Sequence, residues 1–298
     1  MKDPMPLWLR VLSRTPWTLF YGIARFFSWT MHHVLRYRLS VVRSNLSGAL
    51  ASREPRELRG IESHFYRILG ELVVEAVKGA TMSPEELRSR VRLHNLNVIR
   101  EELDAGRSVL IVAAHQCNWE WMLLAMSLEL GHPLDAAYKP LRGKQGERAM
   151  RAIRTRFGSN LIPAKEVLSS IIAKRGQVQA VAMVADQEPV TTDYKWWTHF
   201  MNRETAFYMG PEKIARATRF AVIFAFMRRL SRGRYEVSFE KISAAREQFE
   251  NGTITERYAR LVEREILANP GDWMWSHRRW RLQKETEADE PAKNALTS

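Results

Sequence analysis

The sequence predicts an α/β layer fold, with helices packed on both faces of a mixed, largely parallel sheet. Apolar runs at 109–113, 178–185 (broken by Gln179) and 220–226 have the character of strands buried on both faces. Residues 234–240 alternate instead, with Tyr235, Val237 and Phe239 on one face, which predicts an edge strand. Stretches of helical pattern separate these runs, and that alternation is the mark of a parallel sheet.

The elements follow in order. Residues 1–45 form a basic amphipathic segment. Seven bases lie between Lys2 and Arg43, and Asp3 is the only acid before Glu54. Trp8, Leu12, Trp17, Leu19, Phe20, Ile23, Phe26 and Trp29 sit among them, and Pro16 divides the segment in two. Bulky apolar residues with Trp and Arg predict helices that lie in a membrane surface rather than cross it. The longest early apolar run, 19–24, is far short of the roughly 18 residues a spanning helix needs. Residues 46–283 form the main domain. Its first part, 54–106, reads as helical. Ser83-Pro84-Glu85-Glu86 is a helix start: a capping Ser, Pro in the first turn, acids at the positive helix end. Thr253-x-x-Glu256 resembles a capping box before a further helix. Residues 284–298 are small and polar and read as a disordered tail.

Composition narrows the function classes. With 298 residues and 45% hydrophobic content, the chain can bury a core, which excludes general disorder. Its single cysteine, Cys117, excludes a disulfide framework. Lys plus Arg number 46 against 33 Asp plus Glu, a formal charge of +13. That excess requires an anionic partner. A nucleic-acid binder is the alternative class, yet no nucleic-acid motif accompanies the charge. The bases concentrate around the amphipathic start, so no nucleic-acid partner is expected.

The sharpest local feature is Ala113-Ala114-His115-Gln116-Cys117-Asn118-Trp119-Glu120, directly after the first apolar strand. His115 then stands at the carboxyl end of a strand, where open α/β sheets bind ligands. Glu120 meets it if His115 lies on the turn and Glu120 in the first helical turn. A carboxylate on one imidazole nitrogen leaves the other free to take a proton from a hydroxyl. The amides of the helix start are then placed to hold an oxyanion. Asp186 ends another apolar strand on the same sheet edge and is placed to orient an arginine or a donor group. Cys117 lies inside the motif, but its natural base is already assigned, so a small helix-start residue is the preferred reading.

Strand followed by His-x-x-Asn-Trp-Glu resembles the bacterial lipid A late acyltransferases and their relatives. Other matches follow in order: Tyr37-Arg38 with Asn45-Leu46, Tyr138-Lys139-Pro140, Arg154-Thr155-Arg156-Phe157-Gly158, Ala185-Asp186-Gln187, and Trp273-Met274-Trp275-Ser276-His277-Arg278-Arg279-Trp280. The resemblance implies a single αβα acyltransferase domain at the cytoplasmic face of the inner membrane, peripheral or monotopic. It implies an acyl chain moved from acyl carrier protein to a hydroxyl of a lipid A precursor or related glycolipid. A lysophospholipid or an aryl-polyene-type lipid is the alternative acceptor. By resemblance His115 is the general base and Glu120 its partner. Arg156, with Arg154 as fallback, contacts phosphate or the carrier's phosphopantetheine arm. Asn118 fixes the turn and lines the acyl pocket, and Arg278 and Arg279 either touch headgroup phosphates or stack structurally on the flanking Trp. No cofactor and no metal are expected, because a thioester is already activated.

Overall fold

The computed structural model describes residues 5–191 and 194–284. The tail expected at 284–298 therefore lies, but for Lys284, outside the described residues, as do the first four residues of the basic segment. The helices are α1 (Leu7–Ser13), α2 (Trp17–Trp29), α3 (Leu39–Ala49), α4 (Pro55–Lys78), α5 (Pro84–Arg90), α6 (Asn97–Asp104), α7 (Trp119–Glu129), α8 (Lys144–Arg154), α9 (Val167–Ala173), α10 (Gly210–Thr218) and α11 (Thr253–Ala268). The strands are β1 (Val91–Leu93), β2 (Val109–Ala113), β3 (Leu134–Tyr138), β4 (Asn160–Pro163), β5 (Ala180–Val184), β6 (Lys195–Phe200), β7 (Arg203–Tyr208), β8 (Ala221–Ser231) and β9 (Arg234–Ser243).

Seven strands form one sheet in the order β1-β9-β8-β2-β5-β3-β4, and β6 with β7 forms a separate antiparallel pair. Within the large sheet β8–β9 is antiparallel and the other pairs are parallel. The central strands β2 and β5 are apolar throughout because both faces are covered. Leu110 and Val112 of β2 pack with Phe65 of α4, Ile214 of α10 and Val262 of α11. Val109, Ile111 and Ala113 of the same strand pack with Ile99 of α6, Leu124 of α7 and Ile153 of α8. Three layers result, as predicted.

Three expectations change. The alternating strand β9 is internal, because β1 pairs in parallel along its outer side. A three-residue strand is too short to show a period, so 54–106 reads as purely helical when it holds β1. At residue 253 the helix is capped by Gly252 in the left-handed region, and the Glu256 carboxylate accepts from Trp196 Nε1 at 3.2 Å and Thr198 Oγ1 at 2.9 Å. At residue 83 the prediction holds: Ser83 Oγ accepts the Glu86 amide at 3.1 Å.

Pro16 separates α1 from α2, as predicted. Leu9, Phe20 and Ala24 are buried, while Leu7, Trp8, Val11, Leu12, Leu19, Ile23, Phe26 and Trp29 are exposed. The helix α2 packs on α4 at Gly70, where a Cβ would stand 2.1 Å from Ser28 Oγ and 2.7 Å from the Ala24 carbonyl. Only glycine allows that approach. Among the described residues no helix is long and apolar enough to cross a membrane. The segment is also tied to the far end of the chain. Arg38 Nη1 donates to the Ser276 carbonyl at 2.9 Å, and Asn45 Nδ2 donates to the carbonyls of Trp275 and His277, each at 2.8 Å.

Candidate active site

Parallel pairing builds the site. Ala113 of β2 stands opposite Val184 of β5, so the chain leaves both strands at the same edge and level. Two residues further on, His115 and Asp186 meet. Asp186 Oδ1 lies 2.7 Å from His115 Nδ1, and Asp186 Oδ2 accepts the His115 backbone amide at 3.0 Å. Trp273 Nε1 also donates to Oδ2, at 2.7 Å. The carboxylate is thus held in three places, and the ring it holds presents Nε2 outward, 3.3 Å from Gln187 Nε2. Burial alone would raise the Asp186 carboxyl. The neighbouring His115 charge, with hydrogen bonds from His115 and Trp273, outweighs burial and holds it at about 2.

The carboxylate on the imidazole is therefore Asp186, 71 positions away in sequence, and not Glu120. Glu120 lies in the first turn of α7, where its oxygens are engaged elsewhere. Arg154, at the end of α8, makes a forked pair with it: Nε to Oε2 at 2.8 Å and Nη2 to Oε1 at 2.6 Å. Trp119 Nε1 donates to Oε1 at 3.1 Å. The Trp119 ring stands edge-on to His115, with centroids 5.0 Å apart. Two carboxylates thus flank one turn, each with its own cation or imidazole.

Backbone donors in the turn are mostly spent. The amide of Gln116 donates to the Ala114 carbonyl at 2.8 Å, and that of Cys117 to the Asp272 carbonyl at 2.9 Å. Asn118 is the N-cap of α7, its Oδ1 accepting the Trp121 amide at 3.0 Å. The amides of Trp119 and Glu120 stand in the first turn of α7, at the positive end of the helix, where orphan donors favour an anion.

The remaining sequence-predicted residues divide sharply. Arg154 joins the site through Glu120. Arg156 turns inward and donates to the backbone carbonyls of Ala80 (3.0 Å) and Met82 (2.7 and 3.2 Å), which caps the chain after α4. Asn118 is fully buried and serves the turn. Arg278 is exposed. Arg279 is 1% exposed, donates to the Ala206 carbonyl at 2.7 Å and stands 4.4 Å from the Phe207 ring centroid. Burial lowers it to about 10. A headgroup phosphate on the surface cannot reach it. Cys117 has φ of 51° and is buried, and burial together with Asp272 pushes its thiol up, away from the nucleophilic thiolate.

Sequence reasoning passed over Trp273 as a direct partner of Asp186. It also passed over Tyr258, whose hydroxyl donates to the Ala113 carbonyl at 2.7 Å. The signal for Trp273 was present in the closing aromatic block. That block returns to the motif: Met274 N donates to the His115 carbonyl at 3.0 Å, and Gln116 and Trp273 form an antiparallel bridge.

The family model for bacterial lipid A biosynthesis acyltransferases matches residues 7–282. A lipid A biosynthesis acyltransferase of Haemophilus influenzae is 21% identical over 281 residues, covering 93% of this chain and 88% of that protein. The chain belongs to the bacterial lipid A biosynthesis acyltransferase family and is an acyltransferase.

Proposed function

We propose that the protein moves a fatty acyl chain from acyl carrier protein to a hydroxyl of a lipid A precursor, with His115 as the general base. The observation that carries this is the His115–Asp186 pair at the carboxyl edge of the sheet. With Nδ1–H donated to the carboxylate, Nε2 is the basic nitrogen, and it faces outward. Nε2 takes the proton of the acceptor hydroxyl as its oxygen attacks the thioester carbonyl. The C–S bond then breaks, and the departing thiolate takes the proton back. Asp186 keeps the tautomer and steadies the imidazolium. The developing oxyanion is received by the Trp119 and Glu120 amides at the start of α7. The Glu120–Arg154 pair braces that helix start against α8.

The acceptor is lipid, and the exposed row from Leu7 to Trp29 supports docking on a membrane surface. Arg10, Arg14 and Arg25 are exposed beside it, which suits an anionic leaflet such as the cytoplasmic face of the inner membrane. The test is acyl transfer from an acyl-carrier thioester to a lipid A precursor with a free hydroxyl, followed by mass spectrometry. Transfer by the unaltered protein and its loss in His115→Ala are the expected results. Transfer at full rate in His115→Ala overturns the mechanism, and transfer from acyl-coenzyme A alone overturns the donor.

A further inference from the structure

Glu75 lies in the last turn of α4, is 0% exposed, and takes no part in the chemistry described above. Three donors from three elements converge on its carboxylate. Tyr21 Oη of α2 donates to Oε1 at 2.9 Å. Asn118 Nδ2, at the cap of α7, donates to Oε2 at 2.8 Å. Tyr235 Oη of β9 donates to the same oxygen at 2.7 Å. The Glu75 backbone carbonyl also accepts Trp121 Nε1 at 2.8 Å.

These bonds fix the direction of the Asn118 amide. Its Nδ2 must face the carboxylate so that its Oδ1 faces the Trp121 amide and caps the helix. The cap follows a residue in the left-handed region, Cys117 at φ 51°, so the local backbone does not hold this turn by itself. Trp119, edge-on to His115, and Glu120, paired with Arg154, come directly after the cap. Where Asn118 stands decides where both of them stand. On the other side, Tyr21 belongs to the helix whose outer face carries Leu19, Ile23 and Phe26. A second contact runs in parallel: Trp17 of α2 meets Trp121 of α7 edge to face, with centroids 6.0 Å apart.

We propose that Glu75 is a positioning residue for the active-site turn, its carboxylate joining the Asn118 cap of α7 to Tyr21 of the outward-facing helix α2. Burial pushes the Glu75 carboxyl up, against the pull of its hydrogen bonds and of Arg229. An unpartnered acid would not be kept here, so the three donors and the acid are one unit.

The test uses the full chain on phosphatidylethanolamine–phosphatidylglycerol vesicles, with Glu75→Leu, Glu75→Gln and Tyr21→Phe. Glutamine can restore every bond. Its oxygen accepts from Asn118 and Tyr235, and its NH2 donates to the Tyr21 oxygen. Leucine leaves all three donors without an acceptor. Hydrogen exchange at amides 118–122 is read as a ratio to that at 109–113, which removes any change in global stability. In Glu75→Leu that ratio rises about tenfold, the equivalent of one lost hydrogen bond. It rises a few-fold in Tyr21→Phe and stays at the unaltered level in Glu75→Gln.

The kinetic arm alone rests on the proposed function. There, Glu75→Leu lowers kcat by about 10²-fold with little change in KM, as misplacement of reacting groups does. Glu75→Gln restores it. An unchanged exchange ratio in Glu75→Leu and Tyr21→Phe overturns the proposal. So does a loss of kcat that glutamine fails to restore. Should Glu75→Leu fail to fold, Tyr21→Phe and Glu75→Gln decide by the same ratio. If the unaltered protein transfers no acyl group, the functional reading fails, and the exchange ratio still decides the role of Glu75.

Discussion

At the carboxyl edge of the sheet, His115, Asp186, Glu120 and Arg154 each end on an internal partner. On and beside α1 and α2, Arg10, Arg14 and Arg25 are exposed, and the apolar row between them faces outward. The difference separates two uses of charge. A paired, buried group has its direction and protonation state set before substrate arrives. An exposed arginine beside exposed Trp and Phe fixes no direction at all and gains only when a partner surface covers it. The +13 of the chain is thus not one property. Arg156 and Arg279 spend their charge on backbone carbonyls inside the fold, whereas Arg10, Arg14 and Arg25 carry theirs at the surface.

The sharpest way to break this comparison is to disturb the internal side. His115→Ala is expected to lower the acyl-transfer rate by about 10³-fold, the range of a lost general base. Its melting temperature should fall as well, because Asp186 is left buried without its imidazole partner. Asp186→Asn keeps the volume but turns an NH2 toward Nδ1, which selects the wrong tautomer, and a rate loss of about 10²-fold is expected. The same residue gives a pH signature. Its folded carboxyl titrates at about 2 against an ordinary 3.8. Its contribution is therefore complete above 3.8 and is lost as pH falls toward 2. The size is about 2 kcal/mol. Acid unfolding followed by circular dichroism should show this slope in the unaltered protein and lack it in Asp186→Asn.

Arg154→Ala tests whether the second carboxylate belongs to the same rigid edge. It leaves Glu120 buried without its cation, which is expected to destabilise the fold by about 3 kcal/mol. Arg154→Ala with Glu120→Gln should recover more than half of that loss in urea unfolding. If the double variant is no more stable than the single one, the pair is not a unit.

How much of this edge the sequence shows depends on the distance over which each residue acts. The runs 109–113, 178–185 and 220–226 are visible because a strand covered on both faces must be apolar throughout. The strands β1, β3, β4, β6 and β7 are not visible. Three residues hold no period; β3 carries buried Asp135, satisfied by Asn160 Nδ2 at 2.9 Å; and β6 mixes Lys195 with half-buried Trp196 and Trp197. His115 is legible by its place after β2. Its partner is misread because five-residue spacing draws attention to Glu120, while the pairing with Asp186 follows from β2–β5 register across 71 positions. Arg154 is the last residue of α8, whereas Arg156 lies beyond its end, in the turn that follows. One reaches Glu120 and the other faces Met82, which composition cannot distinguish.

The outward side yields the smaller effects, and they are additive where the inner ones are not. Phe26 is 70% exposed and Trp8 47%, so each has surface free to enter an interface. Replacing either by Ser is expected to weaken vesicle binding about tenfold, the transfer free energy of a partly buried aromatic side chain. Arg14→Gln and Arg25→Gln should each weaken binding about fivefold on anionic vesicles, near 1 kcal/mol per charge, and leave binding to neutral vesicles unchanged. Raising the salt should erase the arginine effect and spare the aromatic one, since screening acts on charge and not on burial. Flotation across a salt series measures both. Equal losses on neutral and anionic vesicles would mean that these arginines serve the fold, and the contrast between the two regions would fall with that result.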